Sequence, residues 1–182
     1  MTVIRDLPEA LALLDRPKMW GAVSAWLVDH AQPGDPAVLL PLLDVYDHPP
    51  FETSTLLLAK ALDALYTPAA ALALIHAPLI DQRLAGIRLL ERYPDKSNVS
   101  ALQLALADPD MYVQRAAARA LAALMPETEA ILLALLESPD EYVREPAIQA
   151  LLYSKNEAVR TALVSLRVTE TISRLRRLLD RI

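Results

Sequence analysis

The sequence has no cysteine and only three glycines, Gly21, Gly34 and Gly86, in 182 residues. Without cysteine there is no disulfide, no thiol nucleophile and no thiolate metal site, and a cytoplasmic location is expected. Three scattered glycines exclude a glycine-rich loop that cradles phosphate. Histidine is equally scarce, at His30, His48 and His76. There is no His-Glu-x-x-His and no Ser/His/Asp order, so the common hydrolytic motifs have no residue set. No apolar run approaches the ~18 residues of a membrane span. The longest, Pro68 to Ile75, is too short. Residues Met1 to Asp15 lack a basic start followed by an apolar core, so no signal peptide is expected.

What the chain has in quantity is Ala, Leu and Pro. Hydrophobic residues make up 54%, above the usual share for soluble domains, and the excess lies in two strong helix formers. Fourteen prolines beside three glycines suit short helices with sharp starts and stops, because proline fits a helix's first turn and breaks its interior. The net charge of −5 does not suit a general nucleic-acid binder. It is also uneven. Residues 1–91 carry 6 Lys/Arg against 11 Asp/Glu, and residues 92–182 carry 12 of each.

Self-similarity is the most informative feature. Asp108-Pro-Asp-Met-Tyr-Val-Gln-Arg-Ala-Ala-Ala-Arg-Ala-Leu121 aligns with Ser138-Pro-Asp-Glu-Tyr-Val-Arg-Glu-Pro-Ala-Ile-Gln-Ala-Leu151 at an offset of 30. Pro78, with Asp81, Arg83, Ala85, Ile87 and Leu90, begins a looser copy; Pro49 and Pro17 begin two more that rest on proline and periodicity. Each unit reads as a longer helix A and a shorter helix B. The A spans are expected at 17–31, 51–66, 79–93, 110–124 and 140–153, and the B spans at 36–46, 68–76, 97–107, 128–137 and 156–166. Residues 6–15 form a leading half-unit, and 169–182 a closing helix. The stripe Val113, Ala117, Leu121 marks the buried face of an A helix. In the turn before it, a short polar side chain caps orphan N–H groups, and Asp110 or Asp140 adds negative charge at the positive end of the helix dipole. Neither helix can bury its apolar face alone, so neighbouring units must stack.

A 30-residue helix pair with Asp-Pro-Asp-x-Tyr-Val-Arg followed by Ala-x-x-Ala-Leu resembles the short HEAT-like repeats of the phycobilin-lyase type, most clearly over residues 78–166. The resemblance implies an all-α, right-handed α-α superhelical solenoid. About five helix pairs and a capping helix, 169–182, would form one array over residues 1–182. It also implies Asp–Arg pairs stacked between units, for which Asp110/Asp140 and Arg115/Arg144 are the candidates, and B helices lining the inner surface.

Function is read from the surface, since the repeat type does not define one. Tyr112 and Tyr142 sit one residue before core valines and are expected at the rim of the repeat seam. His48 and His76 occupy equivalent turns, roughly 10 Å apart at helix packing distance, too far to share a metal. The C-terminal segment from 160 to 182 carries six Arg against Glu170 and Asp180. The reading is a non-catalytic scaffold or adaptor, without cofactor or metal, that binds a protein, peptide or helix. Its candidate contacts are Arg167, Arg174, Arg177 and Arg181 on a cationic edge, and Ser100 and Gln103 in the groove of the B helices. Nucleic acid and membrane are not expected as partners, and self-association through an apolar face remains open. Two other readings follow from the resemblance. One is a DNA-binding protein like the alkylpurine glycosylases of this architecture; the other is a chromophore-handling protein related to the bilin lyases.

Overall fold

The computed structural model describes residues 3–49 and 55–182. Among these the chain is about 70% helical and has no strand. It divides into two compact units, Met1–Ala77 and Pro78–Ile182.

The first unit contains α1 (Leu7–Ala12), α2 (Trp20–His30, entered through a 3-10 turn at Pro17–Met19), α3 (Pro36–Asp47), α4 (Leu56–Leu65) and α5 (Pro68–Ile75). Residues 51–54 of the A span expected at 51–66 lie outside the described residues. The starts of α3 and α5 follow local rules. Pro36 and Pro68 occupy the first helical turn, where no N–H is required, while Asp35 accepts from Ala37 N–H and Thr67 Oγ1 from Ala70 N–H. Gly34 holds a positive φ of 83°, and a Cβ there would come within 2.7 Å of Thr67 Oγ1. Glycine is therefore required where this connection passes the cap of α5. The α2 and α3 helices pack on α4, and α1 packs on both α2 and α3. Trp20, Leu27, Leu39, Leu42, Leu58 and Leu62 form the centre of the core. The indole N–H of Trp20 donates to Leu14 O at 2.6 Å, which satisfies the one polar atom that the ring carries inside.

The second unit contains α6 (Ile80–Arg92), α7 (Val99–Ala105, entered through a 3-10 turn at Lys96–Asn98), α8 (Met111–Ala122), α9 (Glu129–Leu135), α10 (Glu141–Leu151), α11 (Glu157–Thr169) and α12 (Ser173–Leu179). The helices α6, α8, α10 and α12 pack in sequence as one layer. The other layer consists of α7 on α8, α9 on α8 and α10, and α11 on α12. This alternation is the order of A and B helices read from the sequence, and the phase agrees, but the expected longer A and shorter B helix fails in the last pair, where α11 has 13 residues and α10 has 11. Val113, Ala117 and Leu121 of α8 are buried, as are Val143, Ala147 and Leu151 of α10. Small side chains at Ala116, Ala118 and Ala120 are also buried and let the A helices approach closely. The segment read as a closing helix is α12, an A-layer helix; its Leu175 and Leu179 are fully buried against the preceding pair.

Among the described residues no single helix is long and apolar enough to cross a membrane. The α4 and α5 helices reach the length together but bend by 91° at their junction.

Candidate functional site

The turns that start the A helices hold the site in place. Asp110 Oδ1 accepts from the N–H groups of Tyr112 and Val113, and Asp140 Oδ1 accepts from Tyr142 N–H. Glu170 repeats the arrangement 30 residues on, with Oε1 accepting from Ile172 N–H. Two residues earlier in the first two of these turns, Asp108 and Ser138 accept from the backbone N–H of Asp110 and Asp140.

Arginines tie each turn to the A helix before it. Arg83 donates through Nε and Nη2 to Asp108, Arg115 to Asp140, and Arg144 to Glu170. The expected Arg115–Asp140 pair is present, and Arg144 pairs with Glu170. Asp110 is not part of this ladder; it caps α8 while Asp108 takes the arginine. The donor also shifts, by one position in the Arg115–Asp140 rung, and for this there is a local cause. Arg83, Gln114 and Arg144 are equivalent positions, and each donates back to a carbonyl of its own turn, at Pro78, Asp108 and Ser138 respectively. Arginine is long enough to do this and also bridge to the next unit. Gln114 is not, and its neighbour Arg115 makes the bridge instead.

These pairs are largely buried and set the local electrostatics. The Arg83 guanidinium holds the Asp108 carboxyl below the ordinary carboxylate range. Burial pushes Asp140 up, but the hydrogen bonds from Arg115 and from Tyr142 N–H more than reverse this. Glu129, which accepts from Ser154 and Asn156, is lowered by those bonds.

On the exposed face of the A layer, Arg115 of this ladder and Arg174 meet the tyrosines. Arg115 lies over the Tyr142 ring at 4.2 Å and faces Tyr112 at 5.7 Å, while Arg174 covers Tyr142 at 4.9 Å. The result is an alternating stack, Tyr112, Arg115, Tyr142, Arg174, across α8, α10 and α12. Both rings remain about half exposed. The stack borders a hollow of about 410 Å³ lined by Leu84 and Arg88 of α6, Ala116 and Arg119 of α8, and Pro146 and Gln149 of α10, among others. This hollow shares Arg119, Pro146 and Gln149 with a second of about 350 Å³, and Arg115 and Tyr142 with a third of about 700 Å³. Together they make a trough along the α8–α10 seam. Its floor is apolar and its rim is charged.

The residues singled out in the sequence are dispersed. Arg174 forms ion pairs with Glu145 and, at 3.6 Å, Glu141, and so belongs to the rim of the trough. Arg167 pairs with Asp180 at 2.9 Å on the surface. Arg177 and Arg181 are exposed. Ser100 and Gln103 are exposed on α7, in the B layer, and do not line the trough. The sequence reading missed Arg88, Arg119 and Gln149, although Arg119 and Gln149 stand at equivalent repeat positions, an available signal. His30 stacks on Trp26, and His48 faces Asp44. Among the described residues no group of three or more His, Asp or Glu side chains is placed to hold a metal.

A family model described as HEAT repeats matches residues 67–152 and, in a second overlapping placement, residues 102–180. Comparison with curated proteins finds no match. The matched stretch runs from the cap of α5 through α12, spans more than half of the sequence, and covers every arginine–carboxylate rung described above. The chain belongs to the HEAT-repeat family.

Proposed function

We propose that the protein is a non-catalytic scaffold that holds a segment of a partner protein along the A-layer trough of residues 78–182. HEAT repeats are commonly protein-interaction scaffolds, which supports the class of function. The observation that carries the location is the exposed stack of Tyr112, Arg115, Tyr142 and Arg174 beside an apolar floor of Leu84, Ala116 and Pro146. Aromatic and arginine side chains contribute disproportionately to protein interfaces, and here they are held rigid before a partner arrives. Among the charged groups of the rim, Arg115 is paired with Asp140, Arg119 with Glu91 and Arg174 with Glu145 and Glu141, an arrangement that serves recognition. Arg177 and Arg181 add a cationic patch at the end of α12.

The test is photo-crosslinking in the native host, with a benzophenone amino acid placed at Gln149 in the trough or at Gln103 on α7. A protein adduct from Gln149 and none from Gln103 is the expected result. Adducts from Gln103 alone would move the binding surface to the B layer.

A further inference from the structure

We infer that the protein associates with a second copy of itself, the acidic α2–α3 face of one copy taking the basic α11–α12 edge of the other; this is independent of the trough. The argument is charge complementarity. The net charge of −5 belongs entirely to the first unit, because residues 1–77 carry nine acidic and four basic side chains while residues 78–182 carry fourteen Asp/Glu and fourteen Lys/Arg. Within the first unit no Lys or Arg occurs between Lys18 and Lys60. Asp29, Asp35, Asp44 and Asp47 therefore stand on α2, α3 and their connection with only His30 and His48 as basic neighbours in sequence. Asp29 and Asp44 are exposed, and Val28, next to Asp29, is an exposed apolar side chain.

The opposite sign collects on α11 and α12. Residues 155–182 carry seven Lys/Arg against Glu157, Glu170 and Asp180, and two of these carboxylates are spent, Glu170 on Arg144 and Asp180 on Arg167. Of the cations, Arg174 is held by Glu145 and Arg176 by the Glu170 carbonyl. Arg160, Arg177 and Arg181 are exposed and have no ion pair or hydrogen bond from their side chains among the described residues. Local geometry gathers them. Arg160, Val164 and Val168 follow at four-residue intervals along α11, and both valines are exposed. Arg167 lies beside the valines and pairs with Asp180, which stands between Arg177 and Arg181 at the end of α12. The edge thus joins three unmatched guanidinium groups to two uncovered valines, and α2–α3 offers the complement, carboxylates beside Val28. Net repulsion between copies does not oppose the contact, since the second unit is neutral overall. The two faces differ, so the contact is heterologous: each copy engages one face and retains the other for a further copy.

Sedimentation velocity on the full chain tests this from ~5 µM to ~500 µM, at ~0.02 M salt and at pH ~8, where histidine is neutral. The expected result is a sedimentation coefficient that rises with concentration and returns to the monomer value at ~0.5 M salt. Arg177→Glu/Arg181→Glu and Asp29→Lys/Asp44→Lys each remove one face, and each alone should weaken association by about tenfold or more. Mixed in equal amounts, the two variants should form pairs again, because the intact acidic face of the first meets the intact basic edge of the second. Circular dichroism melts of dilute samples confirm that both are folded. A wild-type chain that stays monomeric throughout would overturn the proposal. If that monomer also bound phosphatidylserine vesicles, and lost them in Arg177→Glu/Arg181→Glu, the edge would belong to a lipid surface instead. Self-association that survives either double reversal, or a mixture that stays monomeric, would overturn the proposal as well.

Discussion

Arg144 and Glu170 form a bidentate pair, with Nε and Nη2 each 3.1 Å from a carboxylate oxygen, and the Glu170 side chain is almost fully buried. Glu170 also accepts from Ile172 N–H, so one carboxylate both fixes the turn that leads into α12 and locks that turn to α10. Removing one partner of such a pair leaves the other charge buried and uncompensated. Glu170→Ala should cost about 3 kcal/mol, and Glu170→Gln clearly less, because the amide oxygen still accepts. Urea unfolding midpoints check the order. Equal midpoints would mean that the pair adds nothing to the attachment of α12.

The phase of the repeat is tested at neighbouring positions. Val143 is buried and Tyr142 is about half exposed. Val143→Asp should destabilise by about 3 kcal/mol or more, since a lone carboxylate would enter the core. Tyr142→Ala should cost about 1 kcal/mol, through loss of its two stacked arginines. Chemical denaturation of both variants separates these outcomes.

Acid should loosen the second unit. Asp108 and Asp140 are held below their ordinary value of 3.8 in the folded chain. Around and below that value the unfolded chain binds protons that the folded chain refuses, so protonation favours unfolding. The stabilisation is fully present well above pH ~4 and is lost as pH falls through the depressed folded values. The double variant Asp108→Asn/Asp140→Asn should be less stable at neutral pH and should show a flatter pH dependence below pH ~5. Asn keeps the cap at position 140, so the difference reports on the arginine pairs. Thermal melts from pH 7 to pH 2.5 supply the curve.

The C-terminal arginines should divide into two groups. Arg177→Gln/Arg181→Gln should leave the melting midpoint nearly unchanged, since exposed charges contribute about 0–1 kcal/mol each. Arg174→Gln should lower it, because Arg174 holds Glu145 and covers Tyr142. Truncation before Thr169 should be the most damaging, as it removes Glu170 and the buried Leu175 and Leu179 together. A double Gln variant that melts as early as the truncation would show that those two arginines are structural.

The sequence by itself determined the alternation of A and B helices, the turns between them and the buried faces of α8 and α10. These are local properties: proline restricts the first turn, Asp caps it, and a stripe at every fourth residue can point only one way from a helix. That is why the stripes through Val113 and Val143 are legible without coordinates, and why Asp110 reads as a cap. The partners of the arginines were not local. The bridges Arg83–Asp108, Arg115–Asp140 and Arg144–Glu170 span 25 or 26 residues, and a change from Arg to Gln at position 114 moves the bridge by one position. The cationic edge read from the spacing of Arg167, Arg174 and Arg181 was likewise divided by tertiary contacts, because Arg174 comes within reach of Glu145 across the α10–α12 seam. Sequence spacing fixes the direction in which a side chain leaves its own helix. Only the packing of one helix against the next decides which opposite charge or ring it meets, and so places Tyr112, Arg115, Tyr142 and Arg174 in one stack above a single trough.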